Sequence, residues 1–156
     1  MKVILFHVDF RSFVSLLISF FTLSKFTHSA IACEGAVYDS MQRGFRCTGR
    51  IKDLDCYRKI TILKVNFSDT DLLYKEINKL QEKSNIYNES TIFRFLKNEK
   101  DSDKFYCFEA ICIILSKIGY NINMNKRFTS KTILKTLKQK NYEVEFSGKP
   151  RDYIEK

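Results

Sequence analysis

Thr27-His28-Ser29-Ala30-Ile31-Ala32-Cys33-Glu34-Gly35-Ala36-Val37-Tyr38-Asp39-Ser40 is the stretch from which the rest of the chain can be placed. Thr27 to Cys33 and Ala36 to Ser40 are two short strand-like runs. Glu34-Gly35 between them suits a two-residue hairpin turn, in which a glycine supplies the positive φ without steric cost. Across such a turn Ala30 falls opposite Asp39, so His28 and Asp39 become diagonal neighbours on one sheet face. A carboxylate there can orient an imidazole. The competing reading is an ordinary hairpin carrying one surface His and one surface Asp.

Upstream, Met1 to Val8 is rich in Val, Ile, Leu and Phe and reads as a short buried strand leading into a helix from about Arg11 to Ser24. Downstream, Gly44 to Thr48 is expected to continue the second hairpin strand after a bend, and Ile60 to Phe67 to form a further strand of a mostly antiparallel sheet. Capping residues from Ser68 to Asp71 start a helix that runs to Lys83, and a shorter helix is expected from Ser90 to Lys97, then a polar loop to Lys104. A stronger helix runs from Tyr106 to Ile118 with Ala110, Ile111, Ile114, Leu115 and Ile118 on its apolar face. Thr129 or Ser130 caps a last helix reaching Lys140, and Tyr142 to Phe146 returns as a strand.

With 156 residues, one domain spanning 1–156 is expected, and 44% hydrophobic residues with 5 Gly and 1 Pro exclude collagen-like and low-complexity classes. The formal charge of +9 suits an anionic partner but is equally a property of Lys-rich solvated surfaces. Two histidines and five cysteines at irregular spacing, without CxxC or HExxH, match neither a zinc site nor a disulfide knot, so no metal and no cofactor are expected and the thiols are read as reduced. Gly44-Phe45-Arg46-Cys47-Thr48-Gly49-Arg50-Ile51 has the glycine spacing of a phosphate loop, with Arg and Ile where Lys and Ser/Thr should stand.

The apolar run Phe13 to Leu23 imitates a secretory signal, with Thr27-His28-Ser29-Ala30 in place of a cleavage site. Ser15, Ser19 and Thr22, however, recur at helical spacing, and Asp9 sits in what should be a positive region, so an amphipathic helix fits better. The run is also short of the roughly 20 apolar residues of a membrane span. A cytoplasmic protein is expected. In the secreted alternative Asn66-Phe67-Ser68 and Asn88-Glu89-Ser90 become glycosylation candidates.

Cys107 follows a polar loop and begins a helix, where unpaired N–H groups and the helix dipole favour a thiolate and can hold an oxyanion. A buried structural cysteine beside Phe105, Tyr106 and Phe108 is the competing reading. A thiol nucleophile needs a base, and the choice lies between His7 and His28, of which His28 has the better company. Lys131, Lys135 and Lys138 form a stripe opposite Ile133, Leu134 and Leu137, a solvated face that could also contact phosphate groups or an anionic membrane. The aromatics show no strand pair for stacking bases, so nucleic acid is not an expected partner.

The first stretch, with Gly44-Phe45-Arg46 after it, resembles the "SHvgIv…g.viEa…Gv" block of circularly permuted papain-like, NlpC-type amidases of the YiiX kind. Phe105-Tyr106-Cys107-Phe108-Glu109-Ala110 with Gly119 is similar to that family's "fyCSElv…l…G", and Phe128-Thr129-Ser130 to its "iTPsdL". Val3-Ile4-Leu5-Phe6 resembles its first strand, and Tyr87-Asn88 stands where a Tyr-Asp pair is common. The order agrees as well, with the His strand before the Cys helix. The resemblance spans about residues 3 to 146 and implies Cys107 as nucleophile, His28 as base and then acid, and Asp39, in place of the more usual Glu, as the residue orienting the ring. Phe108 departs from the usual Ser, and the Gly-Asp that often precedes the first strand is missing.

The expected fold is therefore α+β and permuted papain-like, and the expected function is thiol hydrolysis or acyl transfer through a thioester. The substrate would be a peptide, cell-wall or lipid-type amide or ester. The alternatives are a catalytically silent papain-like binding module and a basic adaptor contacting nucleic acid or membrane.

Overall fold

Lys2–His7 and Ile60–Val65 are the two most apolar strand segments of the chain, and nearly every residue in them is buried. That pattern belongs to strands covered on both faces, which lose the period-2 alternation of a half-exposed sheet. The computed structural model, which describes residues 1–41, 44–54, 58–83 and 106–154, bears this out. It contains β1 (Lys2–His7), α1 (Phe13–Thr22), β2 (Phe26–Cys33), β3 (Ala36–Met41), β4 (Gly44–Arg50), β5 (Ile60–Val65), α2 (Thr70–Lys83), α3 (Cys107–Lys117), α4 (Ser130–Leu137) and β6 (Tyr142–Gly148). The six strands form one sheet in the order β4-β3-β2-β1-β5-β6, with every neighbouring pair antiparallel.

The Glu34-Gly35 turn forms as expected, with φ of 48° and 81°, and Ala30 lies opposite Asp39. Gly44 to Thr48 does not prolong β3 after a bend. It turns back and pairs with it, Met41 opposite Gly44. The glycine-spaced segment is thus a strand with a register shift, Val37 facing Gly49 but Tyr38 facing Cys47, and Gly49 adopts the φ of 119° that the irregularity demands. The expected helix at Ser90 to Lys97 and loop to Lys104, and Tyr87-Asn88, lie outside the described residues.

One face of the sheet carries Val3, Leu5, Ile31, Cys33 and Leu63 against Leu73, Ile77 and Leu80 of α2, the buried side of α3, and Ile133 and Leu137 of α4. The other face gathers Ile4, Phe6, Ala30, Ala32, Val37, Ile60 and Ile62 with Ile51, Leu54, Phe146 and Tyr153. α3 is apolar almost all round because it is buried almost all round: Phe108, Ala110, Ile111, Cys112, Ile114 and Leu115 are each at most 1% exposed. Thr129 caps α4 by accepting a hydrogen bond from the Thr132 N–H.

α1 sits the other way round from an ordinary surface helix. Its polar stripe faces inward, with Ser15 and Thr22 buried, while Phe13 is 73% and Phe20 72% exposed. Ser15 Oγ hydrogen-bonds Thr27 Oγ1 at 2.8 Å, fixing the helix to β2, and Ser24 Oγ meets Ser130 Oγ at 2.6 Å, fixing its C-terminal end to α4. Among the described residues no helix is long and apolar enough to cross a membrane.

Candidate active site

His28 and Asp39 reach each other because the hairpin register makes them diagonal neighbours: His28 lies opposite Phe6 of β1, and Asp39 opposite Ala30 of β2. His28 Nε2 and Asp39 Oδ2 are 3.1 Å apart, with the two side chains only 17% and 4% exposed. The other carboxylate oxygen, Asp39 Oδ1, is buried with no hydrogen-bond partner, so the hydrogen bonding of this carboxylate is concentrated on the imidazole.

The pairing of β2 with β3 ends at Ala30 and Asp39. Beyond it lies His28, on a stretch of β2 whose only strand partner among the described residues is β1. α3 packs on β2 and β3 and brings its first residue, Cys107, close enough to His28 to act on the titration of its ring. All three residues singled out in the sequence therefore converge. With Nε2 turned to Asp39, the second ring nitrogen remains for the sulfur.

Burial lowers the His28 pKa, but it is outweighed by the electrostatic influence of Cys107, by the hydrogen bond with Asp39, and by the Asp39 charge. The balance pushes the imidazole up to about 10. His7, the other candidate base, goes the opposite way. Burial, with Lys59, Lys25 and Arg58 nearby, lowers it to about 4, and its Nε2 is engaged with Thr61 Oγ1 at 2.9 Å. A neutral histidine tied to a threonine is a packing element.

Cys107 retains 7% exposure, whereas Cys112 on the same helix has none. Burial first, then the charges of Glu109 and Cys107, push the Cys112 thiol well up. The departure at Phe108 acquires a physical reason: its side chain is 1% exposed and belongs to the helix-side core. Cys33, Cys47, Cys107 and Cys112 are all free thiols. No group of three or more His, Cys, Asp or Glu able to hold a metal ion occurs among the described residues.

Three residues that sequence reasoning passed over support the site. Tyr106, the N-cap of α3, accepts a hydrogen bond from the Phe128 N–H at 3.0 Å and donates to the Phe128 carbonyl at 3.3 Å, which ties the start of the Cys107 helix to the approach of α4. Phe6 presents an edge contact to the His28 ring, centroids 5.0 Å apart. The Arg58 guanidinium stands 5.3 Å over the Phe6 ring and donates to Thr27 Oγ1 at 2.8 Å. Only the Phe6 contact had a signal in the sequence, the register of β1 on β2, and the shift between Phe6 and His7 hides it.

Compared with known protein families and with curated proteins, the chain matches no family model and no curated protein.

Proposed function

We propose that this protein is a thiol hydrolase or acyltransferase of permuted papain-like architecture, with Cys107 as nucleophile, His28 as general base and acid, and Asp39 as the residue that orients His28. The observation that carries the reading is the His28 imidazole, paired with the Asp39 carboxylate at 3.1 Å and near enough to Cys107 for the two to interact, with its pKa pushed up to about 10. An imidazole that keeps its proton beside a sulfur stabilises the thiolate, the form of cysteine that attacks.

In the proposed cycle the Cys107 proton has already passed to His28 in the resting ion pair, and the sulfur adds to an amide or ester carbonyl carbon. The N-terminal end of α3, where Tyr106 provides no side-chain cap, faces the oxyanion that forms. Collapse breaks the bond to the leaving amine or alcohol, which receives the proton from His28. Water, giving a proton to His28, or a second acceptor then attacks the thioester and frees the sulfur. The substrate is a peptide, cell-wall or lipid-type amide or ester.

The test is acyl-enzyme capture. The protein is mixed with a p-nitrophenyl acyl ester and its intact mass measured. A single hydroxylamine-labile acyl adduct on Cys107 supports the reading, with Cys107→Ser abolishing turnover and Asp39→Asn slowing it less than His28→Ala. Equal acylation of Cys47, or turnover that persists in Cys107→Ala, would overturn it.

A further inference from the structure

α1 has an outer face that no described residue buries. Phe13, Leu16 and Phe20 recur along α1, with Phe10 in the turn before it and Leu23 at its C-cap, and four of the five are more than 70% exposed. A soluble helix normally turns such residues inward and its serines outward, because removing apolar surface from water is the main stabilising term of folding. Here Ser15 is buried against Thr27 and Thr22 is buried with its hydroxyl donating to the Ile18 carbonyl of its own helix, so the apolar stripe is left facing water. Contiguous exposed apolar surface of this kind marks an interaction site.

Cations flank this stripe along the chain, Arg11 as an ion pair with Asp9. Arg11 precedes α1 and Lys25 follows it, and the Ser24–Ser130 hydrogen bond sets the end of α1 beside the start of α4. One residue further on, Lys131 enters a groove of about 400 Å³ that it lines with Lys126, Arg127, Lys135, Asn123 and Gln139. No carboxylate lines this groove among the described residues. A second copy of the chain docked through α1 would bring these cations toward their own images on a protein of net charge +9. An anionic leaflet instead neutralises them while its acyl region takes the phenylalanines.

We propose that α1 and the basic groove at α4 dock this protein onto the surface of an anionic phospholipid bilayer. α1 lies in the plane of the interface with Phe13 and Phe20 in the acyl boundary, and the α4 lysines meet lipid phosphates. At 10 residues α1 is about 15 Å long, so it lies on the leaflet and does not span it. This inference is independent of the Cys107 chemistry.

The test is co-sedimentation of the full chain with vesicles of phosphatidylcholine, with and without phosphatidylserine. Binding to the phosphatidylserine vesicles alone is expected, weakening as salt rises. Lys131→Gln with Lys135→Gln should weaken it about 25-fold, at about fivefold per lysine. Phe13→Glu with Phe20→Glu should abolish it while the far-ultraviolet circular dichroism stays unchanged, since both side chains are exposed. Because the chain has no tryptophan, Phe20→Trp gives a reporter whose emission should shift to the blue on those vesicles and not with soluble glycerophosphoserine. Three results would each overturn the proposal: binding that ignores the Phe13 and Phe20 changes, equal binding to phosphatidylcholine alone, or a dimer in sedimentation velocity that forms through α1 in place of vesicle binding.

Discussion

Replacing Asp39 by Asn should move the titration of one imidazole by an amount that the structure fixes. The chain has 2 histidines, and their environments send them in opposite directions, His28 to about 10 and His7 to about 4. Their ring resonances in a proton–carbon correlation spectrum are therefore separable by pH alone. Asn keeps an acceptor for the Nε2–H but removes the carboxylate charge. A hydrogen bond to a charged group contributes about 1.5–3 kcal/mol. At about 1.36 kcal/mol per pH unit, the His28 midpoint should fall by about one to two units in Asp39→Asn, with His7 unmoved. Cys107→Ala should lower it further, because the Cys107 charge is the largest of the effects that raise it. A native His28 that titrates near the ordinary 6.5, or one indifferent to both substitutions, would refute the coupling on which the candidate site depends.

The same two histidines set a pH optimum of stability. The raised His28 contributes stability in full below about 6.5, the unfolded value, and loses it as pH rises toward about 10. His7, lowered to about 4, resists the proton that the unfolded chain takes up, so stability falls as pH drops from about 6.5 toward 4. Urea unfolding across that range should peak near 6.5, and His28→Asn should flatten only the alkaline limb; a variant that keeps the alkaline slope would assign it elsewhere. In alkylation at pH 6, peptide mass mapping should show iodoacetamide on Cys107 well before Cys112, with His28→Ala removing the difference. Simultaneous labelling of both only on unfolding would return Cys107 to the structural core. Ile111→Ala, at a position with no exposure, should cost about 2–5 kcal/mol in urea unfolding, and a loss below 1 would mean that α3 is not packed on the sheet as described.

The hairpin was readable because its turn is a local signal: Glu34-Gly35 sets the register, and the register sets His28 beside Asp39. The start of α3 was readable for a similar reason, a long apolar period following a polar segment. What depends on distant parts of the chain was not. Phe6, Arg58 and Thr27 form one cluster from three elements, and no local pattern ties residue 58 to residue 27. β4 was misread as a continuation because strand-like composition does not report which way a strand runs, and only the pairing of Met41 with Gly44 shows that it runs back along β3. The stripe in α1 was found, but periodicity reports only that a helix has two unlike faces. Which face turns inward was decided by Thr27 and Ser130, the hydroxyls waiting on β2 and α4.

β1 is the first strand along the chain, yet it lies inside the sheet, hydrogen-bonded to β2 on one side and β5 on the other. Its first partnership closes quickly, since only α1 intervenes. The neighbouring β5–β6 ladder joins Ile60 to Gly148, across most of the remaining chain. Loop closure over such separations is slow, so the order of assembly is built into the topology. The β1–β2–β3 segment, which carries His28 and Asp39, is local in the chain, whereas Cys107 reaches it only through the packing of α3 on β2 and β3. The candidate site is therefore complete only where the helical layer is packed on the sheet, and loosening of that one contact separates Cys107 from His28 and Asp39 while leaving the hairpin pair together.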